Sequence, residues 1–265
     1  MVDKSEKFET LVRVGYFSRA IMYSVLGVIA LMGAAAFAEG TDGVFRAIRD
    51  FPGGTALLWI LVIGLSAYGL FRLASPAFDI ENSGSDAKGW GKRLGHLGSG
   101  IGHFALAYTA YKFATAGNSS GGGAQEAAAG VLSYDFGGAV LGLLGIAFFV
   151  AAAHQAKRAW TAEFMQRVAA GAPDYTETLG RIGFAARAVV FAIIGWSLIR
   201  AGFLSAGSAQ VKTLGEALAS LAGNGIVFSL VAVGLLVFGI FSLILARYRI
   251  IPDMDPRGKV PAFRA

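Results

Sequence analysis

The stretch GKRLGHLGSGIGHF, from Gly91 to Phe104, gathers five glycines, two of the chain's three histidines and two basic residues. Three chemistries could use them. A glycine-rich loop cradles phosphate only where it follows a strand and leads into a helix. This one follows a polar loop and lacks a Gly-Lys-Ser/Thr ending. A histidine pair could hold a metal ion or haem. His96 and His103 are seven residues apart, so they share a helix face but stand roughly 10 Å apart along the axis, too far for one ion. His154, at the end of a later apolar run, is the partner that either would need, which makes His103 and His154 the weak candidates for cofactor ligands. Third, Gly91 and Gly95, and Gly98 and Gly102, are four apart, the spacing that lets two membrane helices meet backbone to backbone. Packing accounts for most of this pattern, and no cofactor or metal is expected.

The other regular charges are Arg13, Arg93 and Arg181. Their bland role is a rim anchor that touches anionic headgroups. Their sharper role is a threefold ring that gathers an anion or an acidic partner. Catalytic constellations are missing. There is no cysteine, no Gly-x-Ser-x-Gly elbow, no His-Glu-x-x-His and no pair of carboxylates inside an apolar run, so no enzyme is expected.

The elements that position these residues follow from composition. The chain has 265 residues, 55% hydrophobic and 15% charged, against about 25% charged in ordinary soluble domains. Uncharged or nearly uncharged runs cover 20–38, 51–71, 94–111, 136–156, 184–204 and the later part of 217–246. Each is long enough to cross a bilayer as a helix. Arg72, Arg187 and Arg200 lie near the ends of runs, where long stems let the charge reach the headgroups. With the N-terminus placed inside, only Arg46, Arg49, Lys112, Arg200 and Lys212 of the 23 basic residues fall outside. The bias predicts cytoplasmic termini. It also makes the net charge of +6 a topology signal, with no nucleic-acid partner. Ala36-Phe37-Ala38 resembles a signal-peptide cleavage site, but the preceding run spans a bilayer and belongs to a repeat.

That repeat is visible in RVGYFSRA at Arg13, RLGHLGSG at Arg93 and RIGFAARA at Arg181. Gly15, Gly95 and Gly183 align. His96 and His103 fill slots held by Tyr16 and Tyr23, and by Phe184 and Phe191. Later, Gly64, Gly145 and Gly234 align, each followed four residues on by Tyr68, Phe149 or Phe238. Gly69 and Gly239 also align, where the second copy has Val150. Between these halves, DGVFRAIRDFPGG, AQEAAAGVLSYDFGG and VKTLGEALASLAGNG read as short amphipathic helices at the outer interface.

The repeated Arg-aliphatic-Gly-aromatic start and the Gly-x-x-x-(Tyr/Phe) second helix resemble a bacterial membrane family of unknown function, number twelve hundred and six in the domain-of-unknown-function series. The resemblance covers about residues 11–248. It implies an integral protein of the bacterial inner (plasma) membrane with three tandem two-helix domains, and it implies no activity.

The expected fold is all-α: an integral membrane domain of six transmembrane helices, arranged as three parallel two-helix repeats with short interfacial helices on the outer side. The segments are 1–10 (cytoplasmic), 11–248 (membrane, repeats at about 11–78, 91–160 and 179–248) and a cytoplasmic tail 249–265. The expected function is a non-enzymatic scaffold or accessory protein. Its partners are membrane lipids, anionic on the cytoplasmic side, and a membrane protein or a second copy. Arg13, Arg93 and Arg181 are the contacts for lipid or anion; Gly15, Gly95, Gly98, Gly102 and Gly183 are the packing residues. The alternatives are a small-solute path along the pseudo-threefold axis near His103, and a haem or metal protein using His103 and His154.

Overall fold

The computed structural model describes residues 4–32, 40–78, 86–116 and 123–251. Within them run nine α-helices: α1 Lys4–Met32, α2 Gly40–Asp50, α3 Gly54–Phe78, α4 Ala87–Thr115, α5 Gly123–Leu132, α6 Gly137–Thr161, α7 Thr176–Gly202, α8 Leu214–Ala219 and α9 Gly225–Tyr248. The β pairing among the described residues is one bridge, Val168 to Arg249. The Ala36–Ala38 motif, the loop 117–122 and the tail beyond 251 lie outside the described residues.

Five helices, α1, α3, α6, α7 and α9, are long and apolar enough to cross a membrane. The sixth expected span falls on α4. It matches α1 in length at 29 residues, but its two histidines and its glycine run lower its hydropathy below that of the other five. The apolar signature therefore marks five helices rather than six.

Local chemistry sets the boundaries. Asp86 caps α4 by accepting from the Gly89 N–H at 2.8 Å. Thr213 and Glu216 form a reciprocal capping box on α8, and Asn224 caps α9. Such caps satisfy the orphan N–H groups of a helix start. Gly54 and Gly137 open α3 and α6 where the chain doubles back. A Cβ on either would fall 1.9 Å from a carbonyl oxygen of the preceding short helix, Ile48 or Val131. No other residue fits these corners. The short helices α2, α5 and α8 lie at the end remote from the termini. Gln125 of α5 ties two of these outer segments together by donating to Val211 O and Glu216 Oε1.

The largest helix contacts are α3 with α4, α6 with α7, and α9 with α1. Each joins one two-helix segment to the next, and the last joins the final segment to the first. Within segments, α1 packs on α3 and α7 packs on α9, whereas α4 and α6 share no comparable packing. The middle of the bundle is filled by aromatic side chains, with Tyr16, Tyr68, Phe238 and Phe241 almost wholly buried.

Candidate functional site

The three repeat arginines are held by helix ends. Arg13 Nη1 donates to Ala246 O at 2.9 Å and Arg247 O at 2.5 Å, in the last turn of α9. Arg181 Nη1 donates to Ala159 O at 3.0 Å and to Trp160 O, in the last turn of α6. Arg93 Nη1 reaches Pro76 O, near the end of α3, at 3.4 Å. Terminal carbonyls have no intrahelical partner and carry partial negative charge, so a guanidinium fork suits them. Each arginine thus fastens the start of one segment to the end of the segment before it. Arg13 and Arg181 also pair with an acid one turn earlier, Glu9 and Glu177.

A second set of arginines turns inward. Arg19 follows Arg13 by six residues, roughly 9 Å further along the helix, and is 7% exposed. Its Nε donates to Ser242 Oγ at 3.1 Å and its Nη1 to Tyr68 Oη at 3.0 Å. Its guanidinium lies over the rings of Tyr16 and Phe238, at 4.5 and 5.0 Å from their centroids. Arg72 donates to the same Tyr68 oxygen through Nε and Nη2 at 3.0 and 2.8 Å. Arg187, the counterpart of Arg19 in the third repeat, covers Phe238 at 4.6 Å and Phe191 at 5.0 Å. The Gln155 amide oxygen, oriented by the hydrogen-bond network, accepts from both of its terminal nitrogens at 3.1 and 3.2 Å. Arg158 lies 5.5 Å from the Phe184 centroid.

This corrects the expectation that Arg72 and Arg187 reach outward to the headgroups. Aromatic faces, a phenol and an amide hold them inside instead. Guanidinium stacks well on rings and is more weakly hydrated than ammonium.

Among the described residues, no ion pair reaches Arg19, Arg158 or Arg187. The buried Nε atoms of Arg158 and Arg187 have no acceptor. Arg19 and Arg187 both approach the Phe238 ring, 5.0 and 4.6 Å from its centroid, so two like charges lie close together and repel. Two guanidiniums donate three N–H bonds to Tyr68 Oη. Arg19 and Arg187 thus present forked N–H donors whose acceptors are a serine, a phenol and an amide, with no ion pair to either among the described residues. At the rim, Lys157 Nζ, near the end of α6, donates at 2.9 Å to Glu163, which follows the span, and holds that carboxyl below its usual range.

The histidines are dispersed. The His103 ring packs 4.6 Å from the Tyr68 ring, with Nδ1 2.6 Å from Ser99 O. His96 is half-buried and His154 is exposed on α6. No hydrogen bond or ring contact joins His103 to His154. No group of three His, Cys, Asp or Glu residues that could hold a metal ion occurs among the described residues.

The glycines divide. A Cβ on Gly15 would lie 2.9 Å from Tyr68, and one on Gly183 2.7 Å from Phe238. Gly95, Gly98 and Gly102 have nothing within 4 Å, so the close packing expected of them is not found within this chain. The glycine of α4 that does pack is Gly100, which meets Leu73 and Gly69 of α3.

Sequence reasoning missed Arg19, Tyr68, Ser242 and Gln155. The available signal was the second arginine of the repeat start, which recurs as Arg19 at the edge of one apolar run and Arg187 inside another.

The profile of the Domain of Unknown Function family DUF1206 matches residues 14–78, 94–162 and 182–249. The chain is also 30% identical over 247 residues to an uncharacterised protein, YxxB of Bacillus subtilis (strain 168), covering 89% of this chain and 90% of that one. No solved structure shows significant similarity. The chain belongs to the DUF1206 family, as three tandem copies of its domain, and is a membrane protein by the character of its helices.

Proposed function

We propose that this DUF1206 protein is a non-enzymatic accessory protein of the bacterial inner membrane that holds an anionic, phosphate-class group in its interior. In this reading α4 also spans the bilayer, partnered by α3, which makes six spans. The three segments form a pseudo-threefold ring, with both termini on the cytoplasmic side. The observation that carries the reading is the pair Arg19 and Arg187. They occupy equivalent places in two repeats, both lie within 5.0 Å of the Phe238 centroid and have only neutral hydrogen-bond partners. An ionisable group inside a membrane domain is a functional candidate, and Arg19 and Arg187, close together and without an ion pair among the described residues, favour a counter-ion. Membrane lipid, anionic on the cytoplasmic side, is the partner this chemistry favours. A membrane protein or a second copy can attach at the outside of the bundle. No observation favours a solute path, because aromatic rings fill the middle of the bundle.

Native mass spectrometry of the protein in neutral detergent tests this reading. The wild type should retain a phosphate-bearing anion, and Arg19→Gln with Arg187→Gln should lose it by about tenfold or more in affinity. Equal retention by both proteins would refute the reading.

A further inference from the structure

Helices α6 and α7 are neighbours with extensive contact, and such pairs are usually joined by roughly 2–8 residues. The link between them, 162–175, takes a longer way. It leaves α6 through Ala162, whose φ of 50° is left-handed. It then crosses to the end of α9 and forms an antiparallel bridge there, Val168 with Arg249. Ala169 N donates to Tyr248 O at 2.8 Å, and Ile250 N to Arg167 O at 3.0 Å. Phe164 of this strap turns into the bundle. Its ring lies 5.0 Å from that of Phe184 on α7 and 5.1 Å from that of Phe241 on α9. α7 leaves a slot for it: a Cβ on Gly180 would fall 2.3 Å from the Phe164 Cζ. The corresponding positions of the other copies hold Val12 and Lys92, so the glycine slot belongs to the third copy alone.

The strap lies over two tiers of cations. Tyr16 and Phe184 hold equivalent places in the first and third copies, about one helical turn inside Arg13 and Arg181. Each carries a guanidinium from another helix end. Arg249 stands 5.2 Å from the Tyr16 centroid, and Arg158 stands 5.5 Å from the Phe184 centroid. The inner pair comes next. Arg19 shares the Tyr16 ring with Arg249, at 4.5 Å. Phe238, which Arg19 and Arg187 both approach, packs 5.4 Å from Phe184. Phe164 is therefore the last ring of a series that leads to the inner pair. The opposite direction offers no such steps. Beyond Arg19, α1 runs on for roughly 20 Å, past buried Leu26, Ile29 and Ala30.

We propose that residues 162–175 are a lid, and that the phosphate-class anion reaches Arg19 and Arg187 from the end of the bundle that holds the termini, passing between Arg158 and Arg249 when Phe164 leaves its slot. The inference rests on the anion-binding reading above and adds the route and its gate. The strap is the part of this end that can move most easily. One β bridge, the Phe164 ring and the Lys157–Glu163 pair fasten it, whereas the spans are continuous helices packed along their lengths. Segments held by few bonds open at a fraction of the global stability. Its two ends suit a hinge. Ala162 already has a left-handed backbone, and Pro173, just before α7, has no N–H bond to break. Arg249 stays behind when the strap lifts, because its own N–H donates to Leu245 O of α9 at 3.2 Å. Cations at a mouth steer an anion inward and act on the entry rate more than on the final affinity.

The test follows radiolabelled inorganic phosphate onto and off the full chain in neutral detergent by rapid filtration. Phe164→Ala empties the slot. It should speed association and release alike, by about tenfold, with the dissociation constant changed by less than about twofold. A lock should do the reverse. The chain has no cysteine, and opposed residues of an antiparallel pair stand about 4.5–5.5 Å apart at Cα, within disulfide reach. Val168→Cys with Arg249→Cys, once oxidised, should exchange phosphate about tenfold more slowly than the same protein reduced. Comparison within one variant cancels the loss of Arg249. Equal rates in the oxidised and reduced forms would overturn the lid and leave the anion site standing. No binding of phosphate by the wild type, or undiminished binding by Arg19→Gln with Arg187→Gln, would refute the anion site and the inference with it. Added phosphatidylglycerol separates the sources of the anion. Displacement of phosphate that the lock slows marks a lipid headgroup as the ligand, and no displacement marks a free anion. Displacement at equal rates with and without the lock would overturn the route.

Discussion

Two arginines six residues apart do opposite work in the same helix. Arg13 ends on carbonyls at the rim, and Arg19 ends on a phenol, a serine and two rings in the interior. Replacing the first should cost stability alone. Arg181→Ala removes charged donors from two terminal carbonyls of α6 and should destabilise by about 1.5–3 kcal/mol, with Arg181→Lys less damaging because it keeps the charge, though not the fork. Reversible unfolding in mild detergent measures both. Tyr68→Phe withdraws the acceptor of three N–H bonds and should cost about 1–3 kcal/mol; the same unfolding assay reads it. At the rim, Glu163 carries a pH signature. Its folded pKa lies below its unfolded one, so its contribution is complete above the unfolded value. That contribution is lost as pH falls through the lower, folded value. The pair with Lys157 is partly exposed, so the effect should stay below about 1 kcal/mol. Thermal melts of wild type and Glu163→Gln should differ at neutral pH and converge in acid; a constant difference would show that the pair is not the cause.

Glycine positions separate the helices that touch from those that do not. A Cβ on Gly202 would lie 2.4 Å from the Gly138 carbonyl oxygen, a backbone atom that cannot step aside. Gly202→Leu should therefore split the α6–α7 contact and cost about 3 kcal/mol. Gly98→Leu, on an empty face, should cost less than about 1 kcal/mol. Parallel melts of the two variants test this ordering. The repeat starts and the short outer helices were legible because they repeat at fixed spacing. The second helices were legible through their hydropathy. The roles of Arg13, Arg93 and Arg181 were not, because their partners are backbone carbonyls, which no residue type announces. The inward turn of Arg72 and Arg187 was equally hidden: near the end of an apolar run, sequence cannot distinguish a stem that snorkels from one that folds onto a ring. The bare face of Gly95, Gly98 and Gly102 was hidden too, because their spacing is the same as that of glycines that do pack.

As a whole, the molecule is three copies of one helical unit whose symmetry is broken twice, and both breaks fall in the second copy. Ser99 stands where the other copies carry Arg19 and Arg187, and the α4–α6 contact is open where the others are closed. The Arg19-type charge therefore comes from the first and third copies, and the second adds Arg158 from its other helix and supplies the opening. Three inward arginines on a closed ring would leave like charges sealed away from any counter-ion, whereas two beside an opening can be neutralised from outside. The central claim is that an anion sits between Arg19 and Arg187. Its most direct test is magnetic-resonance distance measurement between 31P and 15N in arginine-labelled protein, reconstituted with phosphatidylglycerol. The account predicts 31P contacts to the guanidinium nitrogens of Arg19 and Arg187, assigned by their loss in Arg19→Gln and Arg187→Gln. Contacts confined to Arg13, Arg93 and Arg181 at the rim, with none to the inner pair, would contradict it.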